Sequence, residues 1–227
     1  TGDGRLVVGS EYNLTLHDAA TGEQLRDFTG HTGIIWAVAV SPDRRYLISA
    51  GGDQTLRLWR LDTGELLMSV FVTRDDRWVA WTPDGYYKAA PGGDELIGWQ
   101  VNRGIDRKAD FYAAWQFERR LHRPDVLERI LTAGSVELAV ERANADPRRR
   151  REQRVNLAED MDRLRPPAVT IHSPAEGRVV RSRSVQLRAT ARSRGREPVD
   201  RMTVLVNGRP MPGLKAIGVA GADLPAG

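Results

Sequence analysis

The first hundred residues are built from short apolar runs separated by turn residues. Ile34-Ile35-Trp36-Ala37-Val38-Ala39-Val40 is followed by the turn Ser41-Pro42-Asp43. Tyr46-Leu47-Ile48-Ser49 then leads to Gly51-Gly52-Asp53, and Leu56-Arg57-Leu58-Trp59 completes the set. Runs of this length, rich in β-branched and aromatic residues and bounded by Gly, Pro, Ser and Asp, predict three strands joined by tight turns. The same punctuation recurs at a near-fixed distance. Thr21-Gly22-Glu23 returns as Thr63-Gly64-Glu65, a shift of 42. Pro42-Asp43 returns as Pro83-Asp84 and Gly52-Asp53 as Gly93-Asp94, both shifts of 41, and Trp59 returns as Trp99, a shift of 40.

Beyond Trp99 the pattern changes. Ile105-Asp106-Arg107-Lys108-Ala109-Asp110 is too charged for the next strand, so the last repeat is expected to lack its outer strand. Phe111 to Phe117 with Leu121, and Val126-Leu127-Ile130-Leu131 behind Arg123-Pro124-Asp125, place apolar residues at helical spacings, with a helix beginning near Pro124. Ser135 after Gly134 predicts the cap of a second helix running toward Asn144. These short helices are expected to pack on the end of the repeats. After Pro166-Pro167 the period returns to two in Val169–Pro174, Val185–Ala191 and Met202–Val206, which predicts further strands. Residues 1–104, 105–165 and 166–227 are thus expected to be three parts.

The residues from Gly30 to Trp59 resemble a WD repeat. A Gly30-His31 opening, an Asp53 turn six residues before Trp59 and short strands between carry the likeness. A period near 41 residues is that of a four-stranded blade, so the resemblance implies the last two to three blades of a β-propeller. It also implies a hydrogen-bond tetrad, with the Trp59 indole donating to Ser49, Ser49 paired with His31, and His31 with Asp53. Such a network fixes register where packing is thin, and its role is structural. The other repeats depart from the pattern. His17 stands at the Trp position of the first. The third keeps Asp94 and Trp99 but has Val72 and Ala90 where His and Ser would stand, a partial tetrad. Because a ring needs 4–8 blades, the chain is expected to be a fragment whose earlier blades and any targeting signal precede Thr1. The strands after Pro166 resemble the start of an immunoglobulin-like sandwich, which needs roughly seven.

Composition narrows the chemistry. With no cysteine among 227 residues, disulfides, zinc thiolate sites and cysteine nucleophiles are excluded within the chain. No long apolar run predicts a membrane span. A net charge of +4 is modest, and acidic residues are interspersed with the basic ones, which argues against nucleic acid as partner. Three of the 34 basic residues are lysine (Lys88, Lys108, Lys215) and the rest arginine, a bias that suggests a high-GC bacterial source, and a soluble protein of the bacterial cytoplasm is expected. Arg148 to Arg151 reads as a solvated linker, since Glu152, Glu159, Asp160 and Asp162 soon neutralise it. His122-Arg123-Pro124-Asp125 lacks the downstream Asn of a kinase loop. No catalytic residue, cofactor or metal is expected. The expected function is a protein-protein interaction scaffold that presents propeller loops to a protein partner.

The junction carries a second likeness. Asp84-Gly85-Tyr86-Tyr87, Gly98 to Gly104, Ala109 to Tyr112, Arg123-Pro124-Asp125-Val126 and Val206 to Pro210 are similar to the propeller-to-linker region of bacterial WD-repeat proteins ending in a caspase-like peptidase domain. That resemblance implies an alternative, the accessory portion of a cysteine peptidase whose catalytic His and Cys lie beyond Gly227.

Overall fold

The computed structural model describes residues 1–102, 105–106, 108–145, 165–175, 177–179, 185–193, 199, 204–206 and 209–210. The described residues are mainly antiparallel β-structure with a few short helices. The chain divides into two compact units, Thr1–Ala158 and Glu159–Gly227.

The first repeat supplies β1 (Arg5–Gly9), β2 (Leu14–Asp18) and β3 (Gln24–Asp27), paired in that order as a three-stranded sheet. The second supplies β4 (Ile35–Val40), β5 (Tyr46–Gly51), β6 (Thr55–Arg60) and β7 (Leu66–Val72). The two sheets meet through their apolar faces. Leu14, Leu16 and Phe28 of the first pack onto Ile35, Leu47, Trp59 and Leu61 of the second, and Phe28 meets the Trp59 ring edge-on at 5.9 Å. Neither sheet can bury its own face, so this shared layer is the core of the pair.

The third repeat departs from the expected blade. Its strands β8 (Trp78–Trp81) and β9 (Tyr87–Ala89) do not begin a sheet of their own. Instead β8 pairs with β7, from Ser69 opposite Trp81 to Val72 opposite Trp78, so a six-stranded meander runs from β4 to β9. The reversal is made by Thr73 to Arg77. The Thr73 N–H and hydroxyl both donate to the Arg77 carbonyl, at 2.9 and 3.0 Å, and Asp76 takes a positive φ of 64°. A polar five-residue turn closed this way favours a hairpin over a crossing to a new sheet.

The expectation of a missing outer strand is also corrected. β10 (Gly98–Val101) pairs antiparallel with β11 (Asp110–Ala113), placing Trp99 opposite Tyr112. The charged residues before Asp110 form the connection, and the strand begins where they stop. For the same reason Phe111 and Tyr112 are extended and not helical: the ladder to Gln100 and Trp99 satisfies their backbone, and only Ala114–Phe117 coils, as a 3₁₀ turn. Helices α1 (Glu118–Leu121), α2 (Pro124–Leu127), α3 (Ile130–Ala133) and α4 (Val136–Asn144) follow. α2 starts at Pro124, and the Ser135 hydroxyl caps α4 by accepting from the Leu138 N–H at 3.2 Å.

These helices pack on the repeats. The Tyr46 hydroxyl donates to the Leu131 carbonyl at 2.6 Å, Arg60 donates to the Gly134 carbonyl at 3.0 Å, and Lys88 pairs with Glu128 at 2.7 Å. Repeats and helices therefore share one compact unit, and the boundary expected at residue 104 does not separate two such units. Arg123 is buried among them. Its guanidinium grips both Asp125 oxygens at 3.0 Å and the Asn144 side-chain oxygen at 3.0 Å, tying the start of α2 to the end of α4.

In the second unit β12 (Ala168–Ser173) pairs antiparallel with β13 (Arg188–Arg192), and β14 (Leu205–Val206) with β15 (Arg209–Pro210). These ladders establish antiparallel β-structure; an immunoglobulin-like sandwich is not shown. Arg148–Arg151, Met202-Thr203, the Asn207-Gly208 turn and the tail from Pro212 lie outside the described residues.

Candidate functional site: the buried polar chain of the second repeat

Four side chains from four places in the second repeat meet in one line. Trp59 on β6 and Ser49 on β5 point toward the first repeat, His31 lies on the segment entering β4, and Asp53 occupies the turn between β5 and β6. The Trp59 indole N–H donates to Ser49 Oγ at 2.8 Å. Ser49 Oγ lies 2.8 Å from His31 Nε2, and His31 Nδ1 lies 2.8 Å from Asp53 Oδ2. One proton arrangement satisfies every link: the indole donates to the hydroxyl, the hydroxyl to Nε2, and Nδ1–H to the carboxylate. Trp59 and Ser49 are fully buried and His31 nearly so.

The backbone makes room for this line at Gly51. A Cβ there would stand 2.5 Å from His31 Nδ1, so any other residue would push the ring off the carboxylate.

Asp53 gathers more than His31. Thr55 donates to Asp53 Oδ1 through its hydroxyl at 2.7 Å and its N–H at 3.0 Å, and the Thr32 N–H reaches Oδ2 at 3.2 Å. Arg57 adds an ion pair at 3.3 Å. Burial alone would raise the Asp53 pKa, but the hydrogen bonds from Thr55 and His31 outweigh it and hold the carboxyl well below its usual range. Burial also pulls the Arg57 guanidinium below its ordinary value, with Asp53 opposing the shift. The sequence reading missed Thr55 and Arg57. The Asp-x-Thr spacing is that of a side chain bonding two residues on in a turn, and that signal was available.

The other repeats lack the line. In the first, His17 Nε2 meets Thr15 Oγ1 at 2.8 Å and Nδ1 meets the Gly22 carbonyl at 3.2 Å, a local clasp within β2 and its turn. In the third, Asp94 lies in the 3₁₀ turn Gly93–Glu95 and Trp99 on β10. Trp99 is held by rings, Phe117 edge-on at 5.3 Å and Tyr87 at 6.4 Å. Burial drives the Tyr87 phenol above its usual range, with Asp94 and Glu118 adding to the shift. Asp94 and Trp99 thus serve separate contacts. The buried Arg123 and its partners Asp125 and Asn144 were also given no role by the sequence; an Arg-Pro-Asp at a helix start behind apolar residues was the available sign.

Among the described residues no three His, Cys, Asp or Glu side chains are grouped to hold a metal ion, and no helix is long and apolar enough to cross a membrane. Residues 22–60 match the family described as WD domain, G-beta repeat. Eukaryotic translation initiation factor 3 subunit I of Phaeosphaeria nodorum is 34% identical over 84 residues, 37% of this chain and 25% of that protein. Its counterpart in Candida albicans is 30% identical over 97 residues, 43% of this chain and 27% of that protein. Transcription initiation factor TFIID subunit 5 of Caenorhabditis elegans is 38% identical over 78 residues, 34% of this chain and 12% of that protein. The matched segment therefore spans about a quarter or less of these relatives. They are eukaryotic, and lend no support to a bacterial source or to a caspase-like junction. The geometry and the family match agree on the second repeat: the chain carries a WD40 repeat there.

Proposed function

We propose that this chain is part of a protein-interaction scaffold, in which the line Trp59–Ser49–His31–Asp53 is a structural cross-link. The observation that carries the reading is the state of Ser49. Serine, histidine and aspartate joined at 2.8 Å and 2.8 Å are the parts of a nucleophilic triad. In a working triad the hydroxyl must reach a substrate carbonyl. Here Ser49 Oγ is fully buried and already accepts the Trp59 indole N–H. The indole stands against the hydroxyl where a substrate carbonyl would have to approach, so no position is left for a reacting atom. The network spends its polarity on register, which a two-faced sheet needs.

Binding then belongs to the surface that the network holds still. Ile34 and Trp36, at the entrance to β4, are exposed large apolar side chains, and Trp36 lies beside the Gly51-Gly52 turn. An exposed tryptophan on a strand that the network holds in place is a favourable anchor for a protein partner. The relatives named as subunits of initiation factors support membership of a multi-subunit assembly. Photo-crosslinking from position 34, with Trp36 either kept or changed, in lysate of the source organism, tests this. A reproducible set of protein adducts abolished by Trp36→Ser supports the scaffold. Labelling of Ser49 by a fluorophosphonate probe sinks the structural reading of the network.

A further inference from the structure

The meander from β4 to β9 has two ends, and the helices hold one of them. They bond to Tyr46 at the start of β5 and to Arg60 at the end of β6. At the other end lie the start of β4, the β5–β6 turn and the β7–β8 turn, as the pairings of Ile35 with Gly51, Thr55 with Phe71 and Val72 with Trp78 require. The 3₁₀ turn Gly93–Glu95 joins them there, since it follows β9 and the Ala90 N–H donates to the Trp78 carbonyl at 3.0 Å. Large apolar side chains stand open at this end. Trp36 is 69% and Ile34 40% exposed at the β4 side, and Val72 is 54% exposed where β7 enters its turn.

The charges beside Val72 are uneven. In the β7–β8 turn Asp75 pairs with Arg77 at 2.8 Å, which leaves Arg74 and Asp76, and the 3₁₀ turn adds Asp94 and Glu95. Asp53, in the β5–β6 turn, is engaged by His31, Thr55 and Arg57. Asp76, Asp94 and Glu95 therefore stand against Arg74 alone, on a chain whose net charge is +4. An exposed valine among carboxylates suits lysine or arginine, whose stem covers apolar surface while its charged head stays in water beside the acids. Trp36, close to Gly52 in the β5–β6 turn, offers an anchor to an apolar side chain instead. Trp36 is on β4 and the acidic turn joins β7 to β8, three to four strands away, about 14–19 Å at the usual strand spacing. An extended chain covers that distance in about five residues.

We propose that the protein partner docks here as an extended basic segment. An apolar residue of it packs on Trp36 and, about five residues along, lysine or arginine side chains lay their stems on Val72 and set their charges against Asp76 and Glu95. The inference rests on the scaffold reading above and adds to it the chemistry of the occupant.

Fluorescence anisotropy with labelled synthetic peptides and the 227-residue chain tests it. One peptide carries a leucine and, about five residues on, a pair of arginines in a background of serine and threonine. A second has glutamates for the arginines, and a third has the arginines next to the leucine. The first binds more tightly than the other two, and added salt weakens it. Trp36→Ser abolishes its binding. Asp76→Asn combined with Glu95→Arg weakens it by about threefold or more and narrows its lead over the glutamate peptide. Asparagine is chosen at position 76 because it tolerates the positive φ of 64° there. Should far-UV circular dichroism show that pair misfolded, Glu95→Gln alone replaces it, with the same direction of change. Equal binding of the arginine and glutamate peptides, binding of neither, indifference to spacing, or an arginine affinity unchanged in these variants each overturns the proposal. If such a failure comes while Trp36-dependent adducts still form in lysate, the scaffold reading stands without it; if the adducts are missing too, both fall.

Discussion

Removing the Trp59 side chain is the sharpest test of the cross-link. Trp59 is fully buried, packs on Phe28 and donates its indole N–H to Ser49. Truncation to alanine removes a large buried ring, which costs about 3–5 kcal/mol from lost contacts and the cavity left behind. It also removes the donor to a buried hydroxyl, adding about 1 kcal/mol, at the low end of the range because Ser49 keeps its bond to His31. Set against a domain stability of about 5–15 kcal/mol, the loss is a large fraction of the whole. Trp59→Phe separates the two effects: it keeps much of the packing against Phe28 and deletes only the donor and part of the volume, so it is expected to cost about 1–3 kcal/mol. Asp94→Ala, which touches a half-buried 3₁₀ turn outside any such line, is expected to cost less than about 1 kcal/mol. Equilibrium urea denaturation followed by far-UV circular dichroism gives all three values. Equal losses for Trp59→Ala and Asp94→Ala, or no loss for Trp59→Phe, would refute the reasoning.

Ser49→Ala removes the one atom that both Trp59 and His31 use, and a drop of about 2–4 kcal/mol is expected from two stranded buried groups; the same urea assay reads it. Arg123→Ala removes a buried guanidinium from the partly exposed Asp125 and is expected to cost about 1.5–3 kcal/mol, with the double change to apolar residues costing less; a thermal melt compares the two. Lys88→Ala breaks an exposed ion pair with Glu128 and is expected to change stability by less than about 1 kcal/mol. Because the folded Asp53 carboxyl titrates below the unfolded one, its stabilisation is present above the ordinary carboxylate pKa and is lost as pH falls through the range below it. Asp53→Asn should therefore flatten the acid limb of a plot of urea midpoint against pH, and an unchanged limb would refute this.

The legible parts of the sequence were those in which local chemistry and tertiary pairing agree. Tyr46 to Gly51 and Thr55 to Arg60 are short, apolar and closed by Gly51-Gly52-Asp53, so turn and ladder point to one answer. The Ser135 cap and the Pro124 start of α2 are local signals, and nothing distant opposes them. Phe111 and Tyr112 show the opposite case. Their helical spacing is real, but the ladder to β10 outbids it, and pairing between segments about ten residues apart leaves no mark on periodicity. The buried Arg123 was legible only in part: Arg123-Pro124-Asp125 marks its bond to Asp125, but its Asn144 partner is 21 residues away, a distance no local motif spans.

The third repeat shows what the polar line does for the second. In the second repeat β4, β5 and β6 are pinned by His31, Ser49, Asp53 and Trp59, whose bonds are made only in one register. In the third, Val72 and Ala90 replace His and Ser, so Asp94 and Trp99 have no intermediaries through which to join. With that constraint gone, pairing is decided by what remains, namely the Thr73–Arg77 turn and the apolar match of β7 to β8. Both favour a hairpin, and β8 and β9 extend the second sheet while β10 finds β11. Trp99, without a hydroxyl partner, packs against Phe117 of the 3₁₀ turn and Tyr87 of β9. The same aromatic position thus fastens a sheet in one repeat and seats a helical segment in the next. The difference is that Val72 and Ala90 offer no side-chain donor or acceptor where His31 and Ser49 link the second repeat.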